Sequence, residues 1–244
     1  MTKRIVYGTM RLHTKFGSVP ELADFFLRLH AAGITWLHSS NEYESFDLLC
    51  NVLKYLKETR PSVKFRHVVK IAEPSFDDDG FCYSRLLDKV DYYRSRLGVG
   101  CIDQLQWMWR KNIKNDEERI SDFLGVKSEI QSAFDELRNK GVVSDFLCFP
   151  YSVEFAAAAN NSGIFSGLTV YRNLEETQYD SALKDCPFLN ESIAIRPFGA
   201  GKGFAQGRST QEMLDYVFSD DLINGVILTV SSEDHLNELL EYMK

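Results

Sequence analysis

The chain has 244 residues, 44% of them hydrophobic and 26% charged, a length and composition that suit one soluble domain with a full core. Its net charge of −7 and the lack of any basic stretch argue against nucleic acid as a partner. No apolar run reaches membrane-spanning length, and the opening MTKRIVYGTMRLH has no signal-peptide core, so a cytoplasmic protein with no membrane partner is expected.

Short runs of strand type alternate with longer runs of helical spacing. RIVYG (4–8) reads as the first strand, and residues 20–33 as a helix with Leu22, Phe25, Phe26 and Leu29 on one face and Gly33 as its C-terminal cap. ITWLH (34–38) is the second strand, followed by a helix over 45–58. FRHVVK (65–70) is the third strand, followed by a helix over 84–98. IDQLQW (102–107) is the fourth, with its helix over 126–141 closed by Gly141. VSDFLCF (143–149) precedes a helix over 153–163, and LTVY (168–171) precedes a weaker helix near 178–185. SIAIR (192–196) precedes a helix over 210–219, and GVILTV (225–230) precedes the last, over 233–244.

Unbroken alternation of this kind implies a parallel sheet covered by helices. Eight strand–helix units at this length predict a closed (β/α)8 TIM barrel spanning 1–244 as a single domain. An open doubly wound sheet is the runner-up. It requires a GxGxxG after the first strand, where Gly8, Thr9 and Met10 stand instead. The five cysteines fit neither a zinc pattern nor a CxxC pair and read as free thiols; no metal site is expected. No pattern reports an oligomeric state.

In such barrels the active site forms at the C-terminal ends of the strands. His38 ends the second strand, with Ser39, Ser40, Asn41, Glu42 and Tyr43 after it; Lys70 ends the third; and Met108, Trp109 and Arg110 follow the fourth. A lysine beside a phenol favours the phenolate, and a tyrosine so tuned can donate a proton to a carbonyl oxygen. Alternatively, Tyr43 is a half-buried loop tyrosine and Lys70 a charge at the barrel mouth. Spacing alone favours this plainer reading, because both residue types are common. RPFGAGKGF after the seventh strand carries Arg196, Pro197, Phe198, Gly199, Gly201 and Lys202. It reads equally as an anion cradle and as a flexible glycine loop.

With these segments in view, the chain resembles the aldo-keto reductases over essentially its whole length. The resemblance is carried, in order, by VYGTMRL, AAGITWLHSSNEYES, VVK, RSRLGVGCIDQLQWMWR, FDELRNKGVVSDFLCF, IAIRPFGAGKGF and GVILTVSSEDHL. It implies NADP(H)-dependent reduction of an aldehyde, ketone or sugar-like carbonyl, with a small-molecule carbonyl substrate as partner. Tyr43 and Lys70 match the family's tyrosine and lysine. His38 stands in place of its aspartate, and Met108 in place of its histidine. A histidine cannot supply a fixed negative charge, and methionine offers no hydrogen-bond donor.

The resemblance also implies a cofactor site of Gly8, Thr9, Met10, Arg196, Pro197, Phe198, Gly199, Gly201, Lys202, Ser231, His235 and Glu238. Its contacts are eroded. Phe149-Pro150 replaces a Ser-Asn pair that orients the nicotinamide, Thr169 replaces a glutamine, His235 an arginine and Leu239 an asparagine. NADP(H) binding is therefore expected to be weak or absent. The loops after strands four and seven are expected to be short, and the family's N-terminal hairpin across the barrel floor to be absent or reduced to the first few residues.

Three readings follow. The first is a carbonyl reductase with Tyr43 as proton donor and Lys70 as its partner. The second is a catalytically silent relative with a degenerate active site that binds a ligand or a protein. The third is different chemistry using His38 and Glu42. Fold alone does not choose among them.

Overall fold

The computed structural model describes residues 3–14, 16–184, 191–219, 221, 223–230 and 233–243. Its strands are β1 (Arg4–Gly8), β2 (Trp36–Ser39), β3 (Arg66–Ala72), β4 (Ile102–Met108), β5 (Val143–Cys148), β6 (Gly167–Tyr171), β7 (Ser192–Ile195) and β8 (Ile223–Leu228). They form a closed parallel barrel in chain order, β1 to β8, as expected. The helices are α1 (Val19–Ala31), α2 (Phe46–Thr59), α3 (Tyr83–Leu97), α4 (Asp116–Gly125), α5 (Lys127–Asn139), α6 (Val153–Ser162), α7 (Asp180–Lys184), α8 (Lys202–Ala205), α9 (Thr210–Val217) and α10 (Glu233–Tyr242).

The chain divides into two compact units. The first comprises Met1–His67, Tyr171–Thr177 and Ile193–Lys244. Within it β1 pairs with β2 (Val6 opposite Trp36) and with β8 (Val6 opposite Ile227). Tyr7 points toward α1, its ring 5.4 Å from Phe25 and 6.4 Å from Phe26. Residues alternate along a strand, so Arg4, Val6 and Gly8 share the face opposite to Tyr7. The second unit comprises Val68–Val170 and Gln178–Ser192. There Lys70 lies opposite Gln106, and Gln106 opposite Leu147. Trp107 is fully buried among Phe123, Phe134 and Phe165, the core role that a mid-strand tryptophan favours.

Element boundaries moved where backbone bonds are spent on caps. Ile34 donates its N–H to Leu29 and Gly33 takes φ of +84°, so 34 closes α1 and β2 starts at Trp36. β8 begins at Ile223, and Thr229 lies beyond it, its hydroxyl donating to Gly8 at 2.8 Å. The connection after β4 is not a bare short loop, because α4 intervenes. Asn115 caps α4 by accepting from the Glu118 N–H, and Asp116, Glu117 and Glu118 place negative charge on its first turn. After β7, a 3-10 turn over Gly199–Gly201 and α8 replace the expected plain loop. Among the described cysteines, Cys50, Cys82, Cys101 and Cys148 are free thiols.

Candidate active site

In the first unit, the C-terminal ends of β1 and β2 are tied together around Thr9. Its N–H and its hydroxyl both donate to the His38 carbonyl, at 3.1 and 2.9 Å. Its own carbonyl accepts from the Ser45 hydroxyl at 2.6 Å; Ser45, whose backbone is already helical, makes no side-chain cap to α2. Gly8 has no room for a side chain, since a Cβ would come within 2.8 Å of Thr229 Oγ1. Met10 is exposed.

His38 is buried, and its imidazole lies 6.0 Å from the Tyr43 ring at 58°. Tyr43 is half-buried in the turn that enters α2. Its N–H donates to Ser40, and its carbonyl accepts from Phe46. These two bonds fix the backbone of Tyr43 in the turn after β2. The unit thus brings Thr9, His38 and Tyr43 together.

The segment after β7 is built from strained backbone. Arg196, Gly199, Ala200 and Gly201 all adopt positive φ, between 56° and 94°. Asn173, buried after β6, holds it by donating to the Arg196 carbonyl at 2.9 Å. The N–H groups of Gly199, Gly201, Lys202 and Gly203 donate to carbonyls of residues 196–199, within the turn itself. The outward positive groups are therefore side chains. Lys202 is exposed, and the Arg196 guanidinium lies over the Tyr171 ring at 4.4 Å and 3.7 Å from Glu176. Pro197 is buried, and Phe198 packs on Phe204 at 5.0 Å.

On α10, the His235 ring stacks on Phe204 at 5.1 Å and 11°, beside a cavity of about 30 Å³. The Glu238 carboxylate accepts from Thr210 at 2.5 Å. Glu238 also lines an open pocket of about 680 Å³ with Ser209, Thr210, Asp215, Glu241 and Tyr242. Burial and the neighbouring Asp215 push the Tyr242 phenol up to about 12. Ser231 lies outside the described residues.

In the second unit, Lys70 is half-buried on β3, and its carbonyl accepts from Tyr93. Met108 ends β4 almost fully buried. Its sulfur accepts from the Tyr151 hydroxyl at 3.3 Å and from an Arg110 guanidinium Nη at 3.8 Å, while Arg110 Nε donates to Tyr151 Oη at 2.8 Å. Tyr151 takes φ of +63° and packs edge-on against Phe149 at 4.5 Å. The Pro150 carbonyl accepts from Arg119 at 2.5 Å. Phe149-Pro150 is therefore a packed apolar wall. Thr169 is buried, and its hydroxyl has no hydrogen-bond partner among the described residues.

The Arg110–Tyr151 pair was not legible as a unit. Arg110 stands at a strand end, but nothing in the sequence announces the left-handed turn that brings Tyr151 to it. Among the described residues, no group of three or more His, Cys, Asp or Glu side chains is placed to hold a metal ion. No described helix is long and apolar enough to cross a membrane.

No protein-family model matches the sequence, and no curated protein matches it at a significant level. Solved structures do match the fold. A putative aldo-keto reductase from Pseudomonas aeruginosa superposes with a TM-score of 0.73 at 16% identity, covering 98% of this chain and 90% of its own. A thermostable aldo-keto reductase solved with the inhibitor epalrestat gives a TM-score of 0.71 at 15% identity, covering 98% and 88%. An aldo-keto reductase from Bacillus halodurans in its holo form gives 0.69 at 14% identity, covering 100% and 91%. At this identity the likeness establishes the fold, a (β/α)8 barrel shared with aldo-keto reductases.

Proposed function

We propose that the chain is a cytoplasmic oxidoreductase that reduces an aldehyde, ketone or sugar-like carbonyl, with Tyr43 as proton donor and Lys70 as its electrostatic partner. The observation that carries this reading is Tyr43 itself. In a barrel of this type it stands directly after β2, where catalytic residues are expected, with both backbone bonds pinned and its ring beside His38. A nicotinamide dinucleotide, when bound, would supply the hydride. Tyr43 Oη gives its proton to the carbonyl oxygen as negative charge grows there, and a nearby ammonium stabilises the phenolate left behind.

The residues at hand fit such a cofactor unevenly. Arg196 and Lys202 offer charge to a pyrophosphate, although the backbone amides around them are mostly spent within their own turn. At the adenosine end implied for His235 and Glu238, Asp215, Glu238 and Glu241 form an acidic lining. Carboxylates accept hydrogen bonds from ribose hydroxyls and repel a 2′-phosphate. The lining therefore fits a dinucleotide with a free ribose better than NADP(H), and NADP(H) binding is expected to be weak.

The second reading, a silent relative that binds a ligand or protein, is favoured by Met108. Its buried sulfur is occupied by Tyr151 and Arg110 and gives no proton to a substrate. Turnover decides between the two. Purified protein should be assayed with NADPH and NADH against a panel of aldehydes and ketones. Tyr43→Phe should abolish reduction while cofactor affinity stays within about two-fold, because the ring remains and only the donor is lost. Unchanged turnover in the variant would remove Tyr43 from the chemistry. Absence of turnover by the parent across the panel would favour the silent relative.

A further inference from the structure

The N-terminal ends of β1 and β2 lie at the far end of their strands from Thr9 and Tyr43. A pocket of about 560 Å³ opens there within the first unit. That volume is in the range of small-molecule sites. Lys3, Arg4 and Arg66 line it, and none of its described lining residues carries a carboxylate. Three cations on one pocket stand out in a chain of net charge −7.

The cations are positioned by aromatic rings. The Arg4 guanidinium lies 4.5 Å from the Trp36 ring centre, and that of Arg66 lies 5.3 Å from it. Lys3 sits 5.3 Å from the Phe218 ring and donates to the Phe218 carbonyl. The barrel wall is shaped for this arrangement. At Gly225 of β8, a Cβ would come within 2.9 Å of the Arg4 side chain, so glycine there admits the arginine. Arg66 is likewise held through its backbone, its N–H donating to Thr35 at 2.8 Å. A guanidinium resting on an indole loses less freedom when it engages a ligand, and its planar fork matches phosphate oxygens. Ile5, Trp36 and Met243 add apolar surface to the same pocket.

We infer that this floor pocket is a binding site for a small phosphate monoester with an apolar or aromatic organic part, separate from the proposed active site. Its position suits a ligand that binds without entering the chemistry, because reactions in this fold occur at the opposite end of the strands.

The probe is phenyl phosphate, with phenol and benzoate alongside, titrated by calorimetry and by tryptophan fluorescence. Trp107 and Trp109 are fully buried, so Trp36 is the tryptophan that a floor ligand would quench. Phenyl phosphate should bind saturably and quench, whereas phenol should do neither. Arg66→Gln and Lys3→Gln should each weaken binding about ten-fold or more. Both side chains are exposed, and an unchanged melting temperature would certify folding. Lys202→Ala should leave the affinity unchanged. Benzoate binding as tightly as phenyl phosphate would overturn the phosphate assignment. Absence of saturable binding, or loss in Lys202→Ala with none in Arg66→Gln, would overturn the site.

Discussion

His67, on β3, is buried, and desolvation holds its imidazole down at about 4. The unfolded chain takes up this proton near pH 6.5. Between pH 6.5 and 4 the unfolded state therefore binds more protons than the folded one. The stabilisation is complete above 6.5 and is lost as the pH falls toward 4. From pH 7 to pH 5 this one residue should cost about 2 kcal/mol. Urea unfolding of the parent and of His67→Gln at both values checks it, since the variant should lose correspondingly less. At the proposed active site, His38→Asp with Met108→His should raise any residual carbonyl reduction. A histidine at 108 could accept from Tyr151 on one nitrogen and donate from the other. Single changes should do less, because residues that act as a unit are non-additive. A double variant with no gain would move the lesion to cofactor binding. The positions of His38 near the end of β2 and of Tyr43 in the turn after it were legible, because strand ends can be read from pattern. The bonding of Met108 was not, because it depends on a side chain delivered by the positive φ of Tyr151.

At the scale of elements, a few buried polar groups decide how helices seat on strands. Glu73, just past β3, is fully buried. It accepts from Nε and from one Nη of Arg85, from Lys89 at 2.7 Å and from the Cys82 N–H at 3.0 Å. It fastens the start of α3 and its first turns to the end of β3. Glu73→Ala should destabilise by about 3 kcal/mol, because several charge-assisted bonds go at once, although Arg85 and Lys89 can turn to water. Chemical denaturation measures it, and a loss under about 1 kcal/mol would show that the anchor is dispensable. Arg119 of α4 plays a similar part by donating to the Pro150 carbonyl and to Ser152. The helices themselves were legible from apolar spacing. α4 carries a local signal, Asn115 with Glu118 three residues on, that conflicts with the short loop implied by the resemblance. The anchors were not legible, since Glu73 and Arg119 look like ordinary surface charges until tertiary structure buries them.

At the scale of the whole chain, the eight-fold alternation was enough to predict the barrel, because each strand–helix unit is locally complete and the connection rule leaves few topologies. Charge distribution bears on the cofactor. The chain carries −7 overall, and Asp215, Glu238 and Glu241 concentrate negative charge where the adenosine end is proposed to lie. NADPH brings a 2′-phosphate that NADH lacks, and His235 stacks on Phe204 rather than offering the bidentate fork of an arginine. Loss of one such charge-assisted contact is worth roughly 1.5–3 kcal/mol, or about ten-fold or more in affinity. NADPH should therefore bind no more tightly than NADH. Part of the opposition is long-range and screened, so raising ionic strength from about 10 to 150 mM should move the ratio of dissociation constants toward NADPH. Asp215→Asn with Glu241→Gln should move it the same way at low salt. Calorimetric titration of both cofactors at both salt concentrations tests this. Tight binding with strong preference for NADPH would place the adenosine away from α10, and would count in favour of a fully active NADPH-dependent reductase.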